Sequence, residues 1–138
     1  MLIKKIFVYG SLRSDMFNYK IHLDGKVSSS KKGYIKGELS HIENKGYPAV
    51  VKGDNKILGE LMELYDFEAT LAELDEMENY IPNKDNNEYN RCEVEVTLLD
   101  GIVEKAYYYE YNKNSEVNKN DLLLPIKEGD WKEFIINK

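Results

Sequence analysis

This chain of 138 residues has one cysteine, three prolines, two histidines and one tryptophan. Each shortage closes off a class of protein. A lone Cys92 cannot form an internal disulfide, so packing has to hold the fold together, in a reducing and cytoplasmic setting. His22 and His41 are too few and too unrelated in spacing to form a metal cluster. Long hydrophobic runs are missing as well, and the opening MLIKKIFVYG is too short in its apolar part for a signal peptide or a membrane span. Basic charge is scarce: 19 Lys and Arg against 25 Asp and Glu leave a net charge of −6, which opposes the phosphate neutralisation behind nucleic-acid binding and disfavours anionic membranes. There is no internal repeat and no linker, and the size is that of a single domain over residues 1–138.

What is present is an ordinary globular mix, 42% hydrophobic and 32% charged, with eleven tyrosines. KIFVYGSL predicts a first strand from Ile3 to Tyr9, stopped at Gly10 with a loop beyond. GYIKGELSHI alternates as a half-buried strand does, GYPAVV reads as a turn feeding a short strand, and KILGELMELY alternates again. RCEVEVTLL and VEKAYYYEY predict a hairpin around Asp100-Gly101. The polar tract NKNSEVNKND reads as a mobile loop, and GDWKEFIINK as a short closing helix. Strands, one helix and then a hairpin make the class α+β, with a mostly antiparallel and strongly curled sheet.

That one helix carries the question of chemistry. Asp66 suits an N-cap, Glu68 a first turn, and no glycine or proline interrupts the run before Pro82, which predicts a helix from Phe67 to Glu78. At 100° per residue Glu78 falls within about 20° of Leu71, on the face of Leu71 and Leu74. Glu73 and Glu76 point more than roughly 100° away, as a solvated face, and Asp75 lies at the edge of the apolar stripe. A carboxylate on a core face needs a partner or a polar cavity, and its pKa rises there, which is how a general base is made. Spacing alone leaves a second reading open, in which the helix frays before Glu78 and the carboxylate stands in water.

Other candidates have plainer readings. Cys92 fits a packed strand thiol, and Asp85 to Glu88, DNNE, lacks the alternating ligands and central glycine of a calcium loop. GSLR lacks the Gly-Lys-Ser/Thr ending of a phosphate loop, although a glycine loop after a strand can offer backbone N–H groups to an anion.

VYGSL, LDEME, YNR and GDW follow one another in that order, and with them the chain resembles the gamma-glutamylcyclotransferase-like family from Val8 to Trp131. The resemblance implies a small curled, mixed, mostly antiparallel β-barrel with peripheral helices. It implies that Tyr9, Gly10, Ser11 and Leu12 bind the glutamyl part of a substrate and that Glu78, the glutamate of the LDxxE pattern, is the catalytic acid/base. Tyr89 and Arg91 match a YxR pattern that supports the catalytic helix and the pocket wall. Tyr109 aligns with a pocket-facing tyrosine, but Tyr107 and Tyr108 stay open as alternatives, because an error of one position on a strand reverses the face.

The implied reaction is cyclisation of a gamma-glutamyl amide to 5-oxoproline with release of an amine. It is a transferase or lyase type of chemistry that calls for no metal and no cofactor. The implied partner is a small gamma-glutamyl molecule, and the oligomeric state is not legible. The alternative is a noncatalytic module that uses the same pocket for a small anion or a partner protein. Asn79, where many relatives carry glycine, and the loop from Ile81 to Glu88 depart from the pattern and bear on which substrate is used.

Overall fold

Ile6, Phe7 and Val8, buried on both faces, form the short strand around which the rest of the chain winds. The computed structural model describes residues 3–14 and 16–136. Its strands are β1 (Lys5–Val8), β2 (Val27–Ile42), β3 (Tyr47–Leu64), β4 (Tyr89–Leu98), β5 (Val103–Tyr111) and β6 (Leu123–Pro125). The helices are α1 (Phe17–His22), α2 (Phe67–Met77) and α3 (Trp131–Ile136), with a 3₁₀ turn at Glu116–Asn118.

β1 pairs antiparallel with β3, β3 with β2, β2 with β4 and β4 with β5. β5 returns to β1 as a parallel neighbour through Tyr107 and Ile6. Five strands therefore close into a ring, which removes the edges that an open sheet would leave. β6 adds to β2 outside it. This is the mixed, mostly antiparallel barrel with few and peripheral helices. The side chains of β1 divide between two cores: Phe7 and Tyr9 join an interior cluster drawn from all five ring strands, and Ile6 and Val8 join a second cluster with Leu71 and Leu74 of α2. Each fully buried Leu or Phe there contributes about 1.5–3 kcal/mol of transfer free energy.

Several elements differ from the sequence reading. GYPAVV and KILGELMELY belong to one strand, β3, paired with β2 across a bulge where Gly37 faces Asn55 and Glu38 faces Val51. Bulges of this kind bend a strand and help it curl. β2 begins at Val27, earlier than the alternation shows, because its first residues are mostly exposed and polar. α1 and β6 carry too few residues for a period to register.

The tract NKNSEVNKND is not the mobile loop its polarity suggests. Ser115 and Asn118 are buried, Asn118 Nδ2 donates to the carbonyls of Glu88 (3.0 Å) and Asn112 (2.9 Å), and Asp121 accepts from the Tyr111 hydroxyl (2.6 Å). The side chains of Asn118 and Asp121 serve as internal hydrogen-bonding groups. α3 is the expected closing helix; residues 137–138 of that stretch lie outside the described ones. Among the described residues no helix is long and apolar enough to cross a membrane.

Candidate active site

α2 starts where Asp66 accepts a hydrogen bond from the Ala69 N–H at 3.2 Å, and it buries Thr70, Leu71 and Leu74. Its far end does not fray. Glu78 N–H donates to Leu74 O at 2.9 Å, and the chain then closes with Asn79 N–H on Glu76 O (3.2 Å) and Tyr80 N–H on Asp75 O (2.8 Å). That pair of bonds is a Schellman cap, which requires a left-handed residue after the C-cap. Asn79 takes that place at φ 56°, a conformation that glycine adopts freely and asparagine tolerates. The departure at Asn79 thus keeps the backbone a glycine would give and adds a side chain. Glu78 is half-buried at the last turn.

Glu78 lines a cavity of about 170 Å³, and so do Tyr9, Gly10, Ser11, Leu12, Tyr89 and Tyr109. Seven of the eight residues singled out in the sequence therefore meet on one wall system, drawn from β1 and its loop, the end of α2, β4 and β5. Arg91 is the exception. It lies behind the wall, its Nη1 donating to Asp75 Oδ2 at 2.5 Å and its guanidinium 5.3 Å from the ring centres of both Tyr80 and Tyr107. Asp75, one turn before Glu78, also accepts from the Tyr109 hydroxyl at 2.6 Å. Tyr109 thus offers its ring to the cavity while its hydroxyl braces α2. Strand alternation turns the Tyr108 ring into the barrel interior, and Tyr107, on the same face as Tyr109 but two residues earlier, stacks on Phe67 and does not line the cavity. Tyr89 is fixed by donation to Pro48 O at 2.6 Å.

The loop after β1 turns between Gly10 and Arg13, closed by Arg13 N–H on Gly10 O at 3.0 Å. Among the described residues no loop hydrogen bond uses the N–H groups of Gly10, Ser11 or Leu12, which leaves these donors for an anion. Ser11 Oγ accepts from Asn18 Nδ2 at 2.7 Å, so its own proton stays available as a donor. The glycine has a different cause from close ligand approach: a Cβ on Gly10 would come within 2.5 Å of Pro48 Cγ. Behind the loop, buried Arg13 donates to Asp130 Oδ1 (2.7 Å), and buried Glu60 accepts from Ser14 N–H (3.0 Å) and Ser14 Oγ (2.7 Å). The GDW stretch therefore supports the loop. Asp130 caps α3 through Glu133 N–H (3.2 Å), and Trp131 Nε1 donates to His41 Nδ1 at 3.0 Å.

Sequence reasoning passed over Asn18, Tyr47 and Glu88, which also line the cavity with Asn79. Glu88 ends the loop from Ile81 that departs from the family pattern. Its carboxylate accepts from Lys45 Nζ at 2.7 Å, from the Tyr47 hydroxyl, and from Asn79 Nδ2 at 3.0 Å. Burial pushes it toward the neutral form, but these hydrogen bonds and the Lys45 charge prevail and hold its pKa below the usual carboxylate range. Glu78 moves the other way, pushed up to about 8 by burial first and by the negative charge of Glu88 second. Two carboxylates on one cavity with pKa values driven apart are what acid/base work needs. Tyr9 and Tyr89 are raised, chiefly by burial, and stay neutral. The Cys92 thiol, half-buried on β4, is raised by burial as well, which suits a packed thiol. Among the described residues no group of three or more His, Cys, Asp and Glu could hold a metal ion.

Residues 6–133 match the family described as gamma-glutamyl cyclotransferase, AIG2-like. A protein of Halalkalibacterium halodurans, named provisionally as a gamma-glutamylcyclotransferase, is 34% identical over 116 residues, 83% of this chain and 95% of its own length. The crystal structure of a mouse AIG2-like protein superposes with a TM-score of 0.68 at 22% identity, covering 88% of this chain and 86% of that one, a likeness of fold. An uncharacterised protein of Pyrococcus horikoshii superposes with a TM-score of 0.64 at 27% identity, over 96% of this chain and 93% of its own.

Proposed function

The chain belongs to the AIG2-like gamma-glutamyl cyclotransferase family, and we propose that it converts a gamma-glutamyl amide to 5-oxoproline and a free amine, with Glu78 as general acid/base. The observation that carries this reading is the position of Glu78. It shares a cavity with the open N–H groups of the Gly10–Leu12 loop and holds its proton up to about pH 8.

The substrate brings its own nucleophile, the α-amine, which is protonated at neutral pH. An ordinary glutamate lies roughly 3–4 pKa units below an α-ammonium, so taking its proton would cost about 5 kcal/mol. Glu78 acts from its ionised form, which grows as pH approaches 8, and a carboxylate with a pKa of about 8 then takes the same proton at almost no cost. The freed amine attacks the γ-carbonyl, Glu78 passes its proton to the departing nitrogen as the carbon–nitrogen bond to the leaving amine breaks, and the second proton of the ring nitrogen goes to the released amine, which leaves as an ammonium. These steps use only the substrate and Glu78, without metal or cofactor.

The protein also has to fold the substrate back on itself. Nucleophile and carbonyl belong to one molecule, so gripping the α-carboxylate selects the reactive conformer. The N–H groups of Gly10, Ser11 and Leu12 fit that anion, with Tyr9, Tyr89 and Tyr109 as walls. The same donors are candidates to meet the charge that develops on the γ-oxygen. The single thiol Cys92 favours a reducing, cytoplasmic setting.

Purified protein incubated with gamma-glutamyl amino acids, gamma-glutamyl-ε-lysine and glutathione tests the reading by 5-oxoproline release. At least one small gamma-glutamyl amide is expected to turn over without added metal, with simple amines or amino acids ahead of glutathione. The α-glutamyl isomers are expected to be inert, because their amine cannot close the same five-membered ring. Saturable binding of these compounds by folded protein with no release would instead favour a noncatalytic small-anion module.

A further inference from the structure

Glu88 belongs to none of the sequence motifs, yet it reaches the cavity wall beside Glu78. The loop from Ile81 to Glu88 brings it there by folding around Asn87, whose side chain accepts from Ile81 N–H (2.9 Å) and donates to Ile81 O (2.8 Å) and Lys84 O (3.2 Å). Both carboxylate oxygens are then pinned. Oε2 takes Lys45 Nζ and the Tyr47 hydroxyl, and Oε1 takes Nδ2 of Asn79, the residue that follows Glu78. Lys45 is shared with Asp121 Oδ2 (2.9 Å) and Asn118 Oδ1 (3.1 Å). One ammonium against two carboxylates leaves this cluster a surplus negative charge.

The groups that face Glu78 come from every element around the cavity. Tyr9 stands at the end of β1, Tyr47 on β3, Tyr89 on β4 and Tyr109 on β5, and burial raises each phenol so that all stay neutral. Asp75, on α2 itself, is committed to Arg91 and Tyr109. The charge that acts on Glu78 across the cavity is that of Glu88.

We propose that Glu88 is a positioning residue for the cyclisation: through Asn79 it fixes the end of α2, and it faces Glu78 with a pinned negative charge. This rests on the acid/base reading of Glu78. Without Glu88 the Asn79 side chain would lose its described tie to the segment leading into β4, and Glu78 would give up its proton at lower pH and drive amine deprotonation less well.

Two readouts test it, the midpoint of Glu78 by carbon NMR of side-chain carboxyls, assigned with Glu78→Gln, and the pH profile of kcat/KM on the best donor. In Glu88→Gln both the midpoint and the acid limb are expected to fall by about one pH unit. Lys45→Gln, which removes the counter-charge and keeps a donor, is expected to move both upward, and it decides the matter should Glu88→Gln fail to fold. Asn79→Gly keeps the left-handed cap without the amide link, and kcat is expected to fall about tenfold with KM little changed. A fixed Glu78 midpoint in folded Glu88→Gln, or in folded Lys45→Gln if that is the variant available, overturns the electrostatic role. An unchanged kcat in Asn79→Gly overturns the positioning one. If no donor turns over in the parent yet the midpoints move as described, the acid/base reading fails while the coupling of the two carboxylates stands.

Discussion

The end of α2 and the start of β4 each bring one glutamate to the same cavity, and they treat it in opposite ways. At the end of α2 the backbone is satisfied by its cap, but no donor is offered to the Glu78 side chain in the described hydrogen bonds, so burial dominates and the proton is retained to about pH 8. At the start of β4, Lys45, Tyr47 and Asn79 all donate to Glu88, and its carboxylate stays ionised in spite of burial. Residue type and burial alone do not decide charge; the number of donors aimed at the group does. A site that needs one mobile proton and one fixed charge can build both from glutamate.

The largest break in this contrast comes from removing the mobile proton. Glu78→Gln changes little volume and is expected to lower kcat/KM by about 10³-fold, read as 5-oxoproline formed over time, with the thermal transition preserved. Parent-like activity would rule out the acid/base role.

The same variant sharpens the comparison through stability. Glu78 binds its proton more tightly in the folded chain than in the unfolded one, so its contribution is fully present below the unfolded pKa and is lost as pH rises through about 8. Glu78→Gln escapes that loss, and its stability relative to the parent is expected to be near zero at pH 5 and a gain of about 1–3 kcal/mol at pH 9. Glu88, lowered in the fold, runs the other way, its contribution present above the unfolded pKa and lost on acidification. Denaturant midpoints at the two pH values measure the difference, and a gain independent of pH would contradict it.

Across the cavity, Gly10→Val puts carbon where Pro48 already is, with a cost of about 1–3 kcal/mol in stability and weakened substrate binding. Ser11→Ala removes a hydroxyl bonded to Asn18 and keeps every backbone donor, so binding is expected to fall by less. Calorimetric titration with the best donor ranks the two, and equal losses would make the Ser11 hydroxyl the main contact. The smallest effect is at the cap. Asn79→Ala is expected to cost about 1 kcal/mol through its left-handed backbone, and Asn79→Gly less than that, compared by chemical denaturation.

The principal strands, the helix start at Asp66, the face on which Glu78 lies and the loop at Gly10 were legible in the sequence, because each rests on neighbours within a few residues: an alternation, a cap, a 100° step, a turn. The sequence also carried the family motifs in order. Tertiary structure alone decided the rest. Closure of the ring through Ile6 and Tyr107 joins residues about a hundred positions apart, and no local period records that. Whether Tyr107, Tyr108 or Tyr109 turns to the cavity depended on register. The part Glu88 plays left no local signal because two of its three donors, Lys45 and Tyr47, lie more than forty residues away and the third, Asn79, reaches it across the loop from Ile81. A polar residue's neighbours set its charge, and those neighbours are chosen by the fold.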